Sequence, residues 1–381
     1  MMLYIHVPFC ASHCSYCAFY STTSTEALEQ YSTTLLREIE YTSLLHGSID
    51  TPIRSIFFGG GTPSFISAEY IAHVLTQIAR TYPFSHDIEI TIEANPESIT
   101  QEKAEIWYNA GINRVSIGCQ SFIPETLTLL QRIHSVERIY EAIDILRHVG
   151  FRNLSLDMIW GHCNQTTEQW LYELRSALSL GVEHLSCYLL TIEENTLLAK
   201  QYKLHTLLPS EEELCEMYLA GKELLTRHGY IQYEISNFAQ EGYECKHNLG
   251  YWNDIPYYGY GPSASSYTIT SRYTHPSSIQ AWSTRISECC NKHVPLPNRE
   301  ERTKEIIYTE LLFLGLRQSK GISLNTLNSY LPIPFEDYYK KQIEQLCMNS
   351  LITYNSSSIR VTSKGGLVLD SIIEQFLTMP Q

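Results

Sequence analysis

The sequence predicts an α/β protein, a partial (β/α)6 barrel followed by a smaller C-terminal helical domain of winged-helix type. Three observations carry that expectation. Short apolar strand patterns begin near positions 3, 53, 88, 114, 153 and 184, and the last four intervals are 35, 26, 39 and 31 residues, one strand–helix unit each. Polar and glycine-rich stretches follow the C-terminal ends of these strands, the edge at which parallel α/β sheets bind ligands. Beyond residue 190 the repeat gives way to helical patterns and one hairpin. Six units fall short of the eight that close a full barrel, which takes about 250 residues. A flat, doubly wound sheet would satisfy the same repeat.

In chain order, residues 3–7 form the first strand pattern, ended by Pro8. Residues 25–45 are helical, with Leu28, Leu35, Leu36 and Ile39 near one face. Residues 53–58 make the second strand, closed by Gly59-Gly60-Gly61-Thr62-Pro63. Ser67 opens a helix to about residue 80, with Glu69 in its first turn. Residues 88–94 are the third strand, running into Asn95-Pro96, and Thr100 caps a helix that Gly111 stops. The fourth strand is 114–118, the next helix 136–149, the fifth strand 153–159, a further helix 166–180 and the sixth strand 184–190. An acid-first helix then runs from Glu211 to about 228, and 230–235 reads as one more strand. Residues 243–267 are rich in aromatic residues and glycine, and 279–290 are helical. Pro295-Leu296-Pro297 reads as a linker dividing a barrel with its extension (1–294) from a C-terminal domain (295–381). That domain offers helices over 300–316, 323–330 and 335–349, a hairpin over 351–362 and a last helix over 364–377.

A chain of 381 residues buries a large core without staples. Its 44% hydrophobic and 18% charged residues are those of a globular protein. A formal net charge of -14 argues against a nucleic-acid partner, which wants a basic face. No run approaches 18 apolar residues, so no transmembrane segment is expected, and no leader pattern precedes the first strand. Eleven cysteines, an odd number, fit free thiols in a reducing cytoplasm, most of them small packing residues.

Cys10, Cys14 and Cys17 stand apart, in a C-x3-C-x2-C spacing directly after the first strand. Three thiolates so close in sequence converge on one centre and suit an iron–sulfur cluster with one iron left open. A structural zinc site would want a fourth protein ligand.

This spacing, with the Gly59–Gly61 turn one strand later, resembles the radical S-adenosylmethionine superfamily. The resemblance implies a [4Fe–4S] cluster on Cys10, Cys14 and Cys17 and S-adenosylmethionine on the open iron, with Tyr16 near the adenine. Tyr4-Ile5-His6-Val7-Pro8-Phe9-Cys10, Ile92-Glu93-Ala94-Asn95-Pro96, Gly118-Cys119-Gln120-Ser121-Phe122 and His247-Asn248-Leu249-Gly250-Tyr251-Trp252 further resemble the oxygen-independent coproporphyrinogen oxidase family. That family implies that Tyr4 orients the bound S-adenosylmethionine and that Gly60, Gly61, Thr62, Glu93, Gln120, Arg132 and Asp157 line S-adenosylmethionine sites. Two departures matter. The oxidases carry a fourth cysteine where this chain has Phe19, and they carry an N-terminal extension before the first strand. Both point to the sister group of HemW-type heme chaperones, whose H-N-x-x-Y-W signature the 247–252 stretch matches. This resemblance implies heme as bound cargo, acceptor hemoproteins, a reductant such as flavodoxin or ferredoxin, and no coproporphyrinogen oxidase activity. His247 is then a candidate heme ligand, since imidazole is a common axial ligand; the competing reading has it satisfying buried polar groups near the barrel.

Overall fold

A computed structural model of the chain describes residues 1–46, 51–201, 208–294 and 300–379. The expected linker Pro295-Leu296-Pro297 lies outside the described residues. The first half alternates as expected: β1 (Met2–Val7), α1 (Leu28–His46), β2 (Ile53–Gly60), α2 (Ala68–Thr81), β3 (Phe84–Ala94), α3 (Gln101–Asn109), β4 (Arg114–Gln120), α4 (Pro124–Leu129), α5 (Val136–Val149), β5 (Leu154–Trp160), α6 (Thr167–Ser179) and β6 (His184–Leu189). All five pairings are parallel and the order is β1-β2-β3-β4-β5-β6. A doubly wound sheet would reverse its strand order part-way. This one does not, so right-handed crossovers put every helix on the same face and the sheet curls into a partial barrel.

The pleat explains which residues face which way. Leu3, Ile5, Val7, Ile56, Phe58, Ile90, Ile92, Val115, Ile117, Leu154, Leu156 and Leu185 are buried in one hydrophobic cluster with the helices. From α2 alone Ile71, Val74, Leu75 and Ile78 join it, at about 1.5–3 kcal/mol per fully buried side chain. The alternate strand positions hold Tyr4, His6, Ser55, Glu89, Glu93, Arg114, Ser116, Asp157, His184 and Ser186. A closed eight-strand barrel fills its interior with branched apolar side chains; this interior is polar. The expected caps form, Ser67 accepting from the Tyr70 N–H and Thr100 from the Lys103 N–H; Thr166, expected inside its helix, is instead the N-cap, in a capping box with Gln169.

After β6 come α7 (Leu197–Gln201) and α8 (Glu211–Arg227), the latter opened by a Ser210/Glu213 capping box. The strand expected over 230–235 is shorter, β7 (Ile231–Gln232). The Tyr233 N–H donates to the Asn237 carbonyl at 3.2 Å, which turns the chain back into β8 (Asn237–Ala239), antiparallel to β6. The aromatic stretch holds α9 (Lys246–Trp252), β9 (Tyr257–Tyr260) and β10 (Ser265–Tyr267). Next are β11 (Ser271–Thr274), α10 (Ile279–Lys292) and β12 (Glu300–Glu301). Because β9 lies parallel beside β1, the first strand is internal to the sheet, flanked on both sides.

The helix expected from 300 begins later, as α11 (Lys304–Leu316), because Thr303 takes the N-cap position. Then follow β13 (Ile322–Ser323), α12 (Leu324–Asn328), α13 (Phe335–Tyr338), α14 (Lys340–Met348), β14 (Ile352–Tyr354), β15 (Ser358–Val361), α15 (Ser363–Gly366) and α16 (Leu369–Glu374). The single helices expected over 335–349 and 364–377 are each broken once. At the first break the Tyr339 hydroxyl is committed to the carbonyls of Phe376 and Thr378, at 2.7 and 2.5 Å. The hairpin forms as expected, and a second hydrophobic cluster runs from Tyr308 to Phe376. No described helix is long and apolar enough to cross a membrane.

Candidate functional site

The cysteine loop is closed at its base. The Cys10 N–H donates to the Thr22 carbonyl at 3.0 Å, and the Thr22 N–H returns to the Pro8 carbonyl at 2.7 Å. Its middle is pinned by α4, a helix outside the expected repeat: the Ser15 hydroxyl donates to the Leu129 carbonyl at 3.0 Å. The glycine turn after β2 lies against the loop, with the Gly61 N–H on the Val7 carbonyl and the Thr62 N–H on the Phe9 carbonyl, both 2.8 Å. A Cβ on Gly61 would sit 2.9 Å from the Cys10 sulfur. A Cβ on Gly60, where φ is +112°, would sit 2.6 Å from the His6 ring. Glycine is required at both for the approach itself.

Arg132 ties the loop to the strand ends. Its guanidinium donates to the Cys14 sulfur at 3.2 Å, to Asn95 Oδ1 at 2.6 Å and to the Gly118 carbonyl at 2.8 Å. Asn95 in turn donates to the Thr62 hydroxyl at 3.2 Å, and Thr62 faces the Cys10 sulfur at 3.5 Å. A chain of polar contacts therefore runs from one cysteine to another through Thr62, Asn95 and Arg132. Asn95 was not singled out from the sequence; its place between a strand end and Pro96 was the available signal.

Glu93 accepts the Gly60 N–H at 3.2 Å, and its carboxyl is pushed up to about 8, mainly by burial and further by the Asp157 charge. A cation arriving beside it would restore its charge. Asp157 accepts from the Ser116 hydroxyl at 3.2 Å and is also raised, chiefly by burial. Gln120 ends β4 with φ +67°, which carries the chain off the strand at the rim. The Tyr4 hydroxyl lies 3.2 Å from His6 Nδ1.

Cys10, Cys14, Cys17, Tyr16, Gly60, Gly61, Thr62, Glu93, Gln120, Arg132 and Asp157 line one cavity of about 520 Å³. Tyr4 and His247 line a second, of about 290 Å³, that adjoins it. A larger cavity, about 620 Å³, between α6, α8 and the C-terminal helices shares Leu189 with the cluster cavity and holds none of these residues. Among the described residues no group of three or more His, Cys, Asp or Glu closes on a single metal ion. Each thiolate of a four-iron cluster binds a different iron, so its ligands stand around a volume. Three cysteines on the wall of a cavity, beside a turn with no room for a Cβ and a carboxyl wanting a cation, fit that cluster with an amino-acid-bearing cofactor beside it.

Residues 4–177 match the Radical SAM superfamily, and residues 303–368 match the HemN C-terminal domain. The protein of Bacillus subtilis named heme chaperone HemW is 33% identical over 98% of this chain and 98% of its own length. Its namesake in Haemophilus influenzae is 35% identical over 99% and 98%. The chain belongs to the HemW family. A solved structure of coproporphyrinogen III oxidase (HemN) from Escherichia coli, a radical SAM enzyme, shares the fold, with a TM-score of 0.83 over 99% of this chain and 89% of that one at 22% identity.

The H-N-x-x-Y-W stretch of this HemW-family chain forms α9, which lies against the start of β2. His247 is 1% exposed, with Nδ1 2.9 Å from the Ser55 hydroxyl and Nε2 3.0 Å from the Tyr251 hydroxyl. Both ring nitrogens are therefore engaged, and neither is free for iron in this arrangement. We expect His247→Gln to keep the heme affinity and spectrum of the parent; a ten-fold loss or a changed Soret band would restore His247 as a ligand. The same residue predicts a pH effect. Burial, with the Arg114 charge, pushes its pKa down to about 3. Below the ordinary value of about 6.5 the unfolded chain takes up a proton that the folded chain refuses, so stability falls as pH drops from about 6.5 towards 3. Urea unfolding at pH 7 and pH 4.5 should show the parent losing roughly 2 kcal/mol more than His247→Gln between the two. Parallel profiles would contradict the assignment.

Proposed function

We propose that this protein is a heme chaperone that carries a [4Fe–4S] cluster and S-adenosylmethionine and delivers heme to acceptor hemoproteins. The observation that carries the proposal is end-to-end similarity, at 33% and 35% identity, to proteins named heme chaperone HemW. Phe19, where the oxidases are expected to carry a fourth cysteine, supports it: this side chain is 71% exposed at the lip of the cluster cavity.

In this reading Cys10, Cys14 and Cys17 hold three irons of the cluster. Gly60, Gly61 and Thr62 present backbone to the methionyl end of S-adenosylmethionine, and Glu93 faces its ammonium. Tyr4, Tyr16, Gln120, Arg132 and Asp157 fix the remainder. When bound and reduced, by a flavodoxin or ferredoxin, the cluster supplies one electron to the sulfonium. Arg132 holds the loop closed through Cys14, and Asn95 aligns Arg132 and Thr62 against the two cysteines.

The test is a paired assay on anaerobic, cluster-reconstituted protein. With S-adenosylmethionine, reductant and coproporphyrinogen III, no protoporphyrinogen should accumulate beyond background. With heme bound, transfer to an apo-hemoprotein should appear as the acceptor's Soret spectrum. Protoporphyrinogen formed over many turnovers would overturn the chaperone reading in favour of the oxidase.

A further inference from the structure

The smaller cavity and the cluster cavity share Phe19, Gly60, Glu93, Ser116, Asp157 and Tyr188, so one opens into the other. One wall of the smaller cavity is Arg114, the first residue of β4, only 2% exposed. Its Nε has no hydrogen-bond partner, and among the described residues its guanidinium makes no hydrogen bond or ion pair. The groups that act on it through space are Cys245, Glu89, Tyr233 and Asp157, and the two carboxylates among them are engaged elsewhere. Glu89 accepts the N–H groups of Lys246 and His247, at 3.0 and 3.1 Å, at the start of α9. Asp157 accepts the Ser116 hydroxyl. Those groups keep the guanidinium charged, yet a buried donor left without an acceptor is costly. A guanidinium fork matches the two oxygens of a carboxylate.

We infer that Arg114 receives a carboxylate of a ligand that enters past the cysteine loop. Asn248 lines the same space, and its side-chain amide can complete the anion's hydrogen bonds. Glu93 and Asp157 line it too, which disfavours a dianion such as phosphate and leaves a monoanion. At the entrance Phe19 and Tyr188 are 71% and 42% exposed, an aromatic lip for an apolar body. A planar macrocycle with carboxylate arms has this form, and heme carries two propionates. The carboxylate site stands on Arg114; its assignment to heme rests on the chaperone reading above.

The experiment titrates full-length, cluster-reconstituted protein with heme and with heme dimethyl ester, which has no free carboxylate, in the parent and in Arg114→Met. Esterification should weaken binding to the parent about ten-fold, the scale of one charge-assisted hydrogen-bonded contact. Arg114→Met should bind heme about ten-fold less tightly and not distinguish heme from ester. No loss on esterification in the parent, or an equal loss in both proteins, overturns the heme assignment. A second probe is sodium propionate, with sodium chloride at equal ionic strength as control. It should raise the Tm of the parent and leave that of Arg114→Met unchanged; equal shifts overturn the carboxylate site. If propionate discriminates and heme does not bind, the site stands and the chaperone reading falls. Should Arg114→Met fail to fold, Arg114→Lys replaces it, with the same comparisons and a smaller expected difference.

Discussion

Cys14→Ser is expected to abolish the iron–sulfur absorbance of the reconstituted protein while leaving the barrel folded. Cys14 lies on a loop, partly exposed; the Arg132 guanidinium donates to its sulfur at 3.2 Å, and the Tyr16 hydroxyl is also hydrogen-bonded to it. A serine hydroxyl can keep the Arg132 contact, so the metal-free protein should lose less than about 1 kcal/mol, as at a surface position. In the proposed reading the cluster would, by contrast, lose one of its three protein ligands, and an alcohol does not replace a thiolate for iron–sulfur chemistry. The visible absorbance and the bound iron should fall to background, with the far-ultraviolet circular dichroism unchanged. A cluster of parental intensity in Cys14→Ser would refute the ligand assignment.

Glu38→Ala is expected to be the most damaging single substitution away from the site, at about 3–5 kcal/mol, the scale for leaving buried partners of a charge unpaired. Glu38 sits on α1 and is 1% exposed. One carboxylate oxygen accepts the Gly261 N–H at 2.9 Å and the Trp282 indole N–H at 3.1 Å; the other lies 2.7 Å from His275 Nε2. Alanine would orphan the Gly261 and Trp282 N–H groups inside the protein and remove the carboxylate that faces His275. The damage should reach the cysteine loop, because a Cβ on Gly261 would already lie 2.6 Å from the His6 carbonyl, four residues before Cys10. Urea unfolding should show the loss, and iron retention after gel filtration should drop with it. Glu38→Gln, which keeps the acceptor, should lose less than half as much. A loss under 1 kcal/mol for Glu38→Ala would mean that the two N–H donors find other partners.

The barrel half of the fold was legible because its signals are local. Ser67, Thr100 and Thr166 cap the helices they precede, and the strands alternate apolar and polar residues in register with the pleat. The extension was not legible for the opposite reason. Strands of two to four residues such as β7, β8 and β10 are too short to show a period, and they exist only because β8, β6 and β9 in turn offer them edges. The break at Tyr339 answers to carbonyls some forty residues on. In the site, Cys10, Cys14, Cys17 and the glycine turn announced themselves by spacing. Asn95 and Arg114 did not, since an asparagine after a strand and an arginine at the start of one are ordinary in sequence; their roles come from what the curl of the sheet brings opposite them.

The internal position of β1 has a consequence for how the protein is made. The cysteine loop leaves the ribosome well before β9, yet the strand that anchors it pairs Met2 with Ser55 on one side and with Tyr257 on the other. At about 5–20 residues per second, the second neighbour arrives on the order of tens of seconds after the first cysteine. Pairing across so long a stretch of chain is itself slow. Through that interval the nascent chain carries three thiols without their finished enclosure, open to oxidants and stray metals. In the proposed reading, iron–sulfur loading would therefore wait until β9 has docked.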